Sequence, residues 1–583
     1  MPLLISASAE FRSTFTQDHF GGNFLFNRDS LGEGGAYEEL IGELGVETVR
    51  YPGGSVTERY FDINDPNKSF DTDPQTGSEV NLVPLSDWLH IAGDMGISTT
   101  IVIPTRSFLS EEVDDHGDRY PSFDHENLRD FVFQVASGSY GHGEIHAFEI
   151  GNEYWGAGEM SSVEYGRLSS EMASVIDAAL EEFHGSTGEG SQIEIVVQSG
   201  TNFNFARLDE NFSDLSDPNE VLAALSEEYG INFGSGFTFA NGEINWTKVN
   251  NELILNEYND DEFASIDGVT THVYTRGNTL PDMRDFSTSM IEATWEARDE
   301  ELATYVTEWN LKSTSSLDED NDYGLRQAHE LLEIVEQFPE HGVDTAYAWP
   351  LLQNTRNAFS NGFEHEQLTV GGEMFRLMEE CLPGNRPIDL IGSTREETEI
   401  ESSDVDVHAF GSPGQLVLFL TSQSLNVTST DIDISGLLTG GAEVSVSYLG
   451  VANGSTPGSR DAVAEVEEAS PAEVSDEIYR EGILHADLDA LEVMRVVVTQ
   501  PTWSPSMETY WEAIALVEDE YDEVDGIYDG SDLIAALSLG TDRDPTVDEP
   551  IHDDDGDFDD HGESGLGIAA IALGLIPLLA LLL

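Results

Sequence analysis

Two glutamates that each follow an apolar run are the residues of this chain best suited to do chemistry. Glu153 follows the run 145–150 and a Gly-Asn pair, and Glu308 follows the run 302–307. A carboxylate at the end of a buried strand is held on a rigid element, as catalysis requires. Two such groups can hydrolyse a glycosidic bond when one protonates the leaving oxygen and the other attacks the sugar. We therefore predict Glu153 as the general acid/base and Glu308 as the nucleophile.

Both glutamates belong to a longer alternation of short apolar runs and amphipathic stretches. Helical patterns such as Leu85–Met95, Ser162–Leu180 and Leu325–Phe338 separate the runs. This alternation is typical of β–α units around a parallel sheet. The candidate strands are 23–26, 46–51, 99–104, 145–150, 193–197, 269–274, 302–307 and 345–349. They predict an α/β fold, a (β/α)8 TIM barrel over residues 18–387.

In such a barrel, functional residues gather at the C-terminal strand ends. That rule selects six further residues as substrate-binding: Arg50, Asn152, His272, Tyr274, Trp309 and Trp349. Asn152 is expected to bond a sugar hydroxyl, and Tyr274 to donate to Glu308. The two tryptophans are expected to form flat apolar walls for the sugar ring. A purely structural role for His272 and a core position for Trp349 stay open as alternatives.

The insertion between strands five and six, roughly residues 202–262, is long and rich in Asn, Gly and aromatic residues. We expect it to lie over the active face. An insertion that closes the far end of the cleft favours cleavage at chain ends (exo action). The alternative is an open groove that cleaves within a chain (endo action).

Past residue 383 the helical period gives way to short alternating runs. We predict a small antiparallel β-sandwich over residues 388–500. Residues 501–564 are acidic and are predicted to be a largely disordered linker. Residues 565–583 carry no charge, and about 17–25 apolar residues can cross a bilayer. They predict a membrane anchor or sorting segment, with an apolar tail packed on the protein as the alternative.

The net charge limits the classes of partner that this protein can bind. With 113 acidic and 24 basic residues the formal net charge is −89, which excludes nucleic acid as a partner. The acidic residues are interpreted as a solvated surface that keeps the protein soluble in salt, or alternatively as a source of Ca²⁺ ligands. The loop Asp318–Gly324 alternates acids as a structural Ca²⁺ site would, but its glycine does not fit an EF-hand. Catalysis as predicted requires no metal or cofactor.

The chain has a single cysteine, Cys381, so no internal disulfide reports on its compartment. Its first residues lack the basic region of a signal peptide. The apolar segment 565–583 nevertheless leads us to expect an extracellular or cell-surface location. The sequence makes no prediction of oligomeric state.

The motifs resemble those of the clan A glycoside hydrolases. Gly151-Asn152-Glu153 and the Thr-Glu-Trp-Asn of 307–310 look like the catalytic pair of that clan. Arg-Tyr-Pro-Gly-Gly at 50–54 and the Glu308-Trp-Asn element look most like family 51 α-L-arabinofuranosidases, with families 39, 79 and 30 as relatives. The resemblance implies a retaining mechanism, with the two carboxyls about 5–5.5 Å apart.

The sequence departs from family 51 beside these motifs. Ser55 stands where the family usually has Asn, and Tyr60–Asn64 stands where Trp-Asp-Gly is expected. The sugar is therefore left open between an arabinofuranoside and the substrates of a glucuronidase- or xylosidase-like relative. A non-catalytic carbohydrate-binding surface protein is the alternative from another class.

Four of the few arginines fall at or just past predicted strand ends: Arg50, Arg106, Arg276 and Arg356. One interpretation is a site for an acidic sugar. The favoured interpretation is that they pair with local carboxylates, with Arg50 orienting Glu308 or Glu153.

Overall fold

The computed structural model describes residues 3–7, 12–32, 35–74, 76–187, 193–277, 284–353, 355–362, 365–391, 400–401 and 404–523. Eight parallel strands close into a barrel in which each strand pairs with its neighbours in chain order. The predicted (β/α)8 barrel is therefore confirmed. An antiparallel sheet domain follows it, as predicted.

The barrel strands are β1 (Gly21–Asn23), β2 (Thr48–Tyr51), β3 (Ser98–Ile103), β4 (Glu144–Ile150), β5 (Glu194–Gln198), β6 (Gly268–Thr275), β7 (Ala303–Leu311) and β8 (Val343–Ala348). The helices between and after them are α1 (Tyr37–Leu44), α2 (Leu85–Met95), α3 (His125–Ala136), α4 (Ser162–Thr187), α5 (Trp246–Asn256), α6 (Phe286–Ile291), α7 (Leu325–Gln337) and α8 (Val370–Glu379). The connections also hold helices Val56–Tyr60, Pro218–Tyr229 and Asp260–Phe263, and strand pairs Phe70–Thr72 with Glu79–Asn81 and Leu109–Val113 with Arg119–Pro121.

The apolar spacing explains the helices that the sequence predicts best. In α7, Leu325, Ala328, Leu331 and Val335 recur every three or four residues, and all four are fully buried. Burying these side chains removes apolar surface from water, which is the main force that docks the helix on the barrel.

Strand β1 differs from its prediction. The apolar run 23–26 is the candidate, but the strand is Gly21–Asn23. A Cβ on Gly21 would lie 2.4 Å from the Tyr347 ring, and one on Gly22 would lie 2.3 Å from Leu351. Glycine is present because neighbouring side chains approach the backbone closely. Strand propensity, which disfavours glycine, points to the wrong residues here.

The second domain contains two sheets. Its longer strands are β9 (Val405–Ser412), β10 (Gln415–Ser422), β11 (Thr428–Asp433), β12 (Leu438–Val451), β13 (Ala464–Glu468), β14 (Ile483–Leu488) and β15 (Val493–Trp503). One sheet has the order Arg386–Pro387, β9, β10, β15, β12, β13, with Ile400–Glu401 beside β9. The other has the order Leu3–Leu4, β11, β14, Tyr479–Arg480. Their apolar faces share one core, which includes Leu418, Val496, Ile432 and Leu484.

This domain extends beyond the predicted range 388–500 at both ends. The N-terminal strand Leu3–Leu4 pairs with β11. Strand β15 runs to Trp503, and helix α9 (Pro505–Glu523) follows it inside the predicted linker. Met507 and Trp511 of α9 are buried in the core of this domain. Their spacing of four residues places both on one helical face, which anchors a segment whose acidic composition suggested a linker.

The rest of the predicted linker, from residue 524, and the predicted apolar segment 565–583 lie outside the described residues. Within the described residues, no helix combines the length and apolar character needed to cross a membrane.

The barrel and the antiparallel domain meet along α7. His329 of this helix places its Nε2 2.8 Å from the Leu491 carbonyl oxygen. Burial lowers the pKa of His329 to about 4, well below its ordinary 6.5. Below pH 6.5 the unfolded chain gains a proton at this histidine that the folded chain takes up only near pH 4. Acidification through this window therefore destabilises the fold.

We expect His329→Gln to reduce this acid sensitivity. The glutamine amide can still donate to Leu491 but does not titrate. Between pH 6.5 and 4 the wild type should lose about 3 kcal/mol more unfolding free energy than the variant. Urea unfolding across this pH range measures the difference. Parallel stability curves for the two proteins would show that His329 does not set the acid limit.

Candidate active site

Glu153 lies in a tight loop directly after β4. Gly151 and Glu153 both have positive φ, at 81° and 46°. This conformation is unfavourable for a glutamate, and backbone outliers of this kind cluster at functional sites. The Glu153 side chain is 18% exposed, and its Oε1 lies 3.3 Å from Nδ1 of His272.

Glu308 lies within β7, directly opposite His272 of β6. Its side chain is only 6% exposed. The Tyr274 hydroxyl donates to Oε2 at 2.8 Å, and the Arg50 guanidinium donates to Oε1 at 3.1 Å. Nδ1 of His272 lies 3.7 Å from Oε2. Each carboxylate oxygen of Glu308 therefore has a fixed donor.

The structure brings the two glutamates together. One carboxylate oxygen from each glutamate and one ring nitrogen of His272 all lie within 4.8 Å of one another. The two carboxylates differ in surroundings, because Glu308 is enclosed by donors while Glu153 is more open to solvent. This asymmetry suits two carboxylates that must play two different roles.

The charges of this group act on one another. Burial raises the pKa of Glu308, while His272, Arg50 and the Tyr274 hydroxyl oppose the increase. Burial lowers the pKa of His272, but the Glu308 and Glu153 carboxylates outweigh it and leave this pKa above its ordinary value. Burial and the Glu308 charge raise the pKa of Tyr274, so its hydroxyl keeps its proton and remains a donor.

Arg50 joins the strands that surround Glu308. The guanidinium is fully buried and donates to both carboxylate oxygens of Glu149, at 2.6 and 2.8 Å. It also donates to Asn152 Oδ1 at 2.8 Å and to Asn23 Oδ1 at 3.1 Å. Burial lowers the pKa of Arg50, but Glu149 and Glu308 more than offset this. The favoured prediction, that Arg50 orients Glu308, matches this geometry.

Asn152 is fully buried behind Glu153. Its Nδ2 has no hydrogen-bond partner within the described part of the chain. Its backbone N–H donates to Glu58 Oε1 at 2.9 Å. On the far side of the loop, Gln198 accepts from the Tyr154 N–H at 3.1 Å and donates to the Gly151 carbonyl.

Sequence reasoning missed Glu58, Gln198 and Glu149 as supports of the site. Glu149 carries a weak signal, since it is a charged residue in an apolar strand. Gln198 carries the strand-end signal, since it directly follows the predicted strand 193–197. Glu58 carries none, because its role depends on bonds to loops that are distant in sequence. Glu58 accepts from the backbone N–H groups of Thr105 and Arg106, at 2.9 and 2.8 Å, as well as from Asn152.

We expect Glu58→Gln to lower both stability and kcat. The new amide N–H₂ must face backbone N–H groups, so one or more buried donors lose their acceptor, at a cost of about 1–3 kcal/mol. The loop that holds Glu153 should shift as a result. Thermal unfolding and kcat are the measurements. Glu111→Gln, an exposed glutamate of a nearby surface strand, is the control; equal behaviour of the two variants would remove Glu58 as a positioning residue.

The prediction that Trp309 binds substrate is wrong. Its side chain is fully buried, with its ring stacked on Phe375 and edge-on to Phe338. Side chains alternate along a strand, so a residue next to Glu308 points away from the barrel interior and toward the helices. Trp309 is a core residue.

Trp349, in contrast, lies half-buried at the end of β8. Its indole covers the turn after β2, where a Cβ on Gly54 would lie 2.4 Å from the ring and one on Gly53 would lie 3.1 Å away. Close approach of this tryptophan thus explains Gly54, and Gly53 is confined by Asn23, whose Oδ1 would lie 2.8 Å from a Cβ there, as well as by the tryptophan. Asn310 Nδ2 fixes its backbone by donating to the Trp349 carbonyl at 2.8 Å.

The other three strand-end arginines behave differently from one another. Arg106 pairs with Glu159, and Arg356 pairs with Glu319 at 2.6 Å. Arg276 is half-buried just past β6 and has no ion-pair or hydrogen-bond partner among the described residues.

Glu153, His272 and Glu308 also form the only group of three potential metal ligands within the described ranges. The Arg50 cation, 3.1 Å from Glu308, opposes a metal ion there. In the predicted Ca²⁺ loop, Asp318 accepts from the Asp320 N–H at 2.9 Å and Asp322 accepts from the Asp318 N–H at 2.7 Å. The Ca²⁺ assignment stays a prediction.

Several solved structures share this architecture. The α-L-arabinofuranosidase of Thermotoga maritima, solved with arabinose, has a TM-score of 0.52 and 14% identity, with 85% of this chain and 99% of that chain covered. A family 51 α-L-arabinofuranosidase from Bifidobacterium longum has a TM-score of 0.53, 15% identity and the same coverage of 85% and 99%. This chain has their fold.

A bifunctional glucanase-xylanase from a metagenome library is also similar, with a TM-score of 0.51, 12% identity, and 86% of this chain and 99% of that chain covered. The fold thus occurs in enzymes named for different sugars. No protein-family model matches the sequence, and no curated protein matches it either.

Proposed function

We propose that this protein is a retaining glycoside hydrolase in which Glu308 is the nucleophile and Glu153 the general acid/base. One observation carries the proposal. Glu153 and Glu308 follow or belong to different strands, yet a carboxylate oxygen of one lies within 4.8 Å of a carboxylate oxygen of the other. Retaining enzymes hold their carboxyls about 5–5.5 Å apart, whereas inverting enzymes leave room for a water between them, at about 6.5–9.5 Å.

The surroundings of the two glutamates support the assignment of roles. Arg50 and Tyr274 donate to opposite oxygens of Glu308, which favours its ionised form and fixes its direction. Glu153 is the more exposed of the two, so a leaving group and a water can both reach it. A nucleophile needs a negative charge and a fixed direction. An acid/base needs access to the leaving group and to the water.

The proposed reaction has two steps. Glu308 forms a bond to the anomeric carbon while the glycosidic bond breaks, and Glu153 gives its proton to the leaving oxygen. Glu153 then takes a proton from water, whose oxygen attacks the anomeric carbon and releases Glu308. All electrons and protons are accounted for by the two glutamates, the sugar and the water, so the reaction requires no metal or cofactor.

For the sugar, an α-L-arabinofuranoside is the first choice, because the motif resemblance favours it and two of the similar solved structures are named for it. A uronic acid is the second candidate, and Arg276 favours it. This arginine comes directly after β6, two residues past Tyr274, and within the described residues no carboxylate pairs with it. A sugar carboxylate is a suitable partner for such a guanidinium.

A screen of aryl glycosides tests the proposal. Arabinofuranoside, xyloside, glucuronide, glucoside and fucoside are each incubated with the wild type and with Glu308→Ala. We expect the wild type to release the aryl group from one of them and the variant to release none. Equal release by both proteins, or none from any sugar with the wild type, contradicts the proposal and favours a carbohydrate-binding role.

A further inference from the structure

Among the described residues, the exposed aromatic side chains lie on one face of the barrel. Those with large exposed fractions are Phe70 at 59%, Tyr120 at 44% and Phe205 at 58%. They lie in the connections that leave β2, β3 and β5, and therefore on the face that carries Glu153 and Glu308. A single exposed aromatic ring is common on protein surfaces, so the contacts that each segment makes with the catalytic group decide which ring is placed to bind substrate.

Phe205 is the one that the structure links directly to the catalytic group. Its backbone N–H donates to the Trp155 carbonyl at 3.0 Å. Trp155 lies two residues after Glu153, and its ring is edge-on to the His272 ring, with centroids 6.0 Å apart. His272 in turn contacts Glu153 at 3.3 Å. A continuous series of contacts therefore connects the exposed phenylalanine to Glu153.

The backbone turns directly before Phe205. Asn204 has a φ of 43°, in the left-handed region that asparagine, after glycine, adopts most readily. The turn through Asn204 leads to the Phe205 N–H that bonds Trp155, while the Phe205 ring remains in solvent. The Phe205 ring gains no packing energy within the protein, so contact with a ligand is what would remove it from water.

Which part of the substrate Phe205 contacts depends on which of the two glutamates it adjoins. An acid/base must reach the glycosidic oxygen, which joins the sugar that reacts to the group that leaves. Groups that adjoin Glu153, and not Glu308, therefore lie toward the leaving group. Phe205 and Trp155 adjoin Glu153 through the chain itself, because Trp155 is two residues after Glu153 and its carbonyl accepts from the Phe205 N–H. His272 contacts both glutamates and does not decide the side. Arg50 and Tyr274, which donate to Glu308, belong to the other side.

We propose that Phe205, next to Trp155, forms a subsite for the ring of the leaving-group sugar. The inference rests on the proposed function and deepens it: the natural substrate is an oligosaccharide or polysaccharide, not a glycoside of a small non-sugar alcohol. The C–H face of a sugar ring covers the exposed phenylalanine and removes both apolar surfaces from water. The insertion after β5 thus supplies binding surface on the acceptor side of the cleft.

The test compares two substrates of the sugar identified by the aryl-glycoside screen: its glycosyl fluoride, whose leaving group has no ring, and a disaccharide of that sugar. Phe205→Ala should lower kcat/KM for the disaccharide about fivefold to tenfold. It should leave kcat/KM for the fluoride within about twofold of the wild type. Phe205→Trp should restore the disaccharide value, because it restores the flat surface.

Phe70→Ala is the matched control, since this phenylalanine is equally exposed but lies in the connection after β2, not in the segment that bonds Trp155. It should lower neither value as far. Equal losses on fluoride and disaccharide for Phe205→Ala, or no loss on either, would overturn the subsite. Failure of the wild type to turn over both substrates would instead remove the proposed function, and the subsite with it.

Discussion

Glu308→Gly should reduce hydrolysis by at least about 10⁴-fold, because no other described group can form the covalent intermediate. Sodium azide should restore turnover of an activated aryl glycoside. The small anion occupies the space left by the carboxylate and attacks the anomeric carbon from that side. The product should be a glycosyl azide of inverted configuration, which proton NMR identifies.

Glu153→Gly should behave differently, and the contrast assigns the roles. Loss of an acid/base typically costs about 10²–10⁴-fold. The loss should be small for leaving groups that need no proton, and azide should yield the retained glycosyl azide. Glu159→Gly is the control, since Glu159 is a nearby glutamate whose positive φ of 56° suits glycine. Retained azide from the Glu308 variant would reverse our assignment.

Arg50→Met should be the most damaging substitution for stability. Methionine fills part of the volume but leaves the fully buried Glu149 without its cation. Removal of one partner from a buried ion pair costs about 3–5 kcal/mol. Activity should also fall, because Glu308 loses the guanidinium donor to its Oε1. Chemical denaturation gives the stability change, and kcat on the aryl glycoside gives the catalytic one.

Arg106→Met provides the comparison for Arg50. Its pair with Glu159 is partly exposed, at 38% and 42% for the two side chains. Exposed pairs contribute at most about 1 kcal/mol. Arg106 thus shows what the loss of a partly exposed pair costs, and the excess loss in the Arg50 variant reports its buried network. Similar stability losses for both variants would show that the Arg50 network does not support the barrel.

Strand-level features of this protein were predictable because the physics that creates them is local. Buried strands give apolar runs, docked helices give a 3.6-residue period, and α2 was predicted at its observed bounds, Leu85–Met95. The positions of Glu153 and Glu308 followed from the rule that parallel strands share one functional end. The motif resemblance led to the same two residues.

The remaining features depend on contacts between distant segments. The glycines of β1 are set by Tyr347 and Leu351, which come more than 320 residues later. Glu58 acts through backbone groups of two other loops. Trp309 is a different case: strand alternation from Glu308 predicts that it faces the helices, so counting faces along β7 would have corrected its assignment.

The most direct test of the central claim is to trap the glycosyl-enzyme. The protein is incubated with a 2-deoxy-2-fluoro aryl glycoside of the sugar that the screen identifies, then digested and analysed by mass spectrometry. We predict one added fluoroglycosyl unit, on the peptide that contains Glu308 and attached to that side chain. Turnover without a covalent adduct, or an adduct on Glu153 or any other residue, would contradict the account.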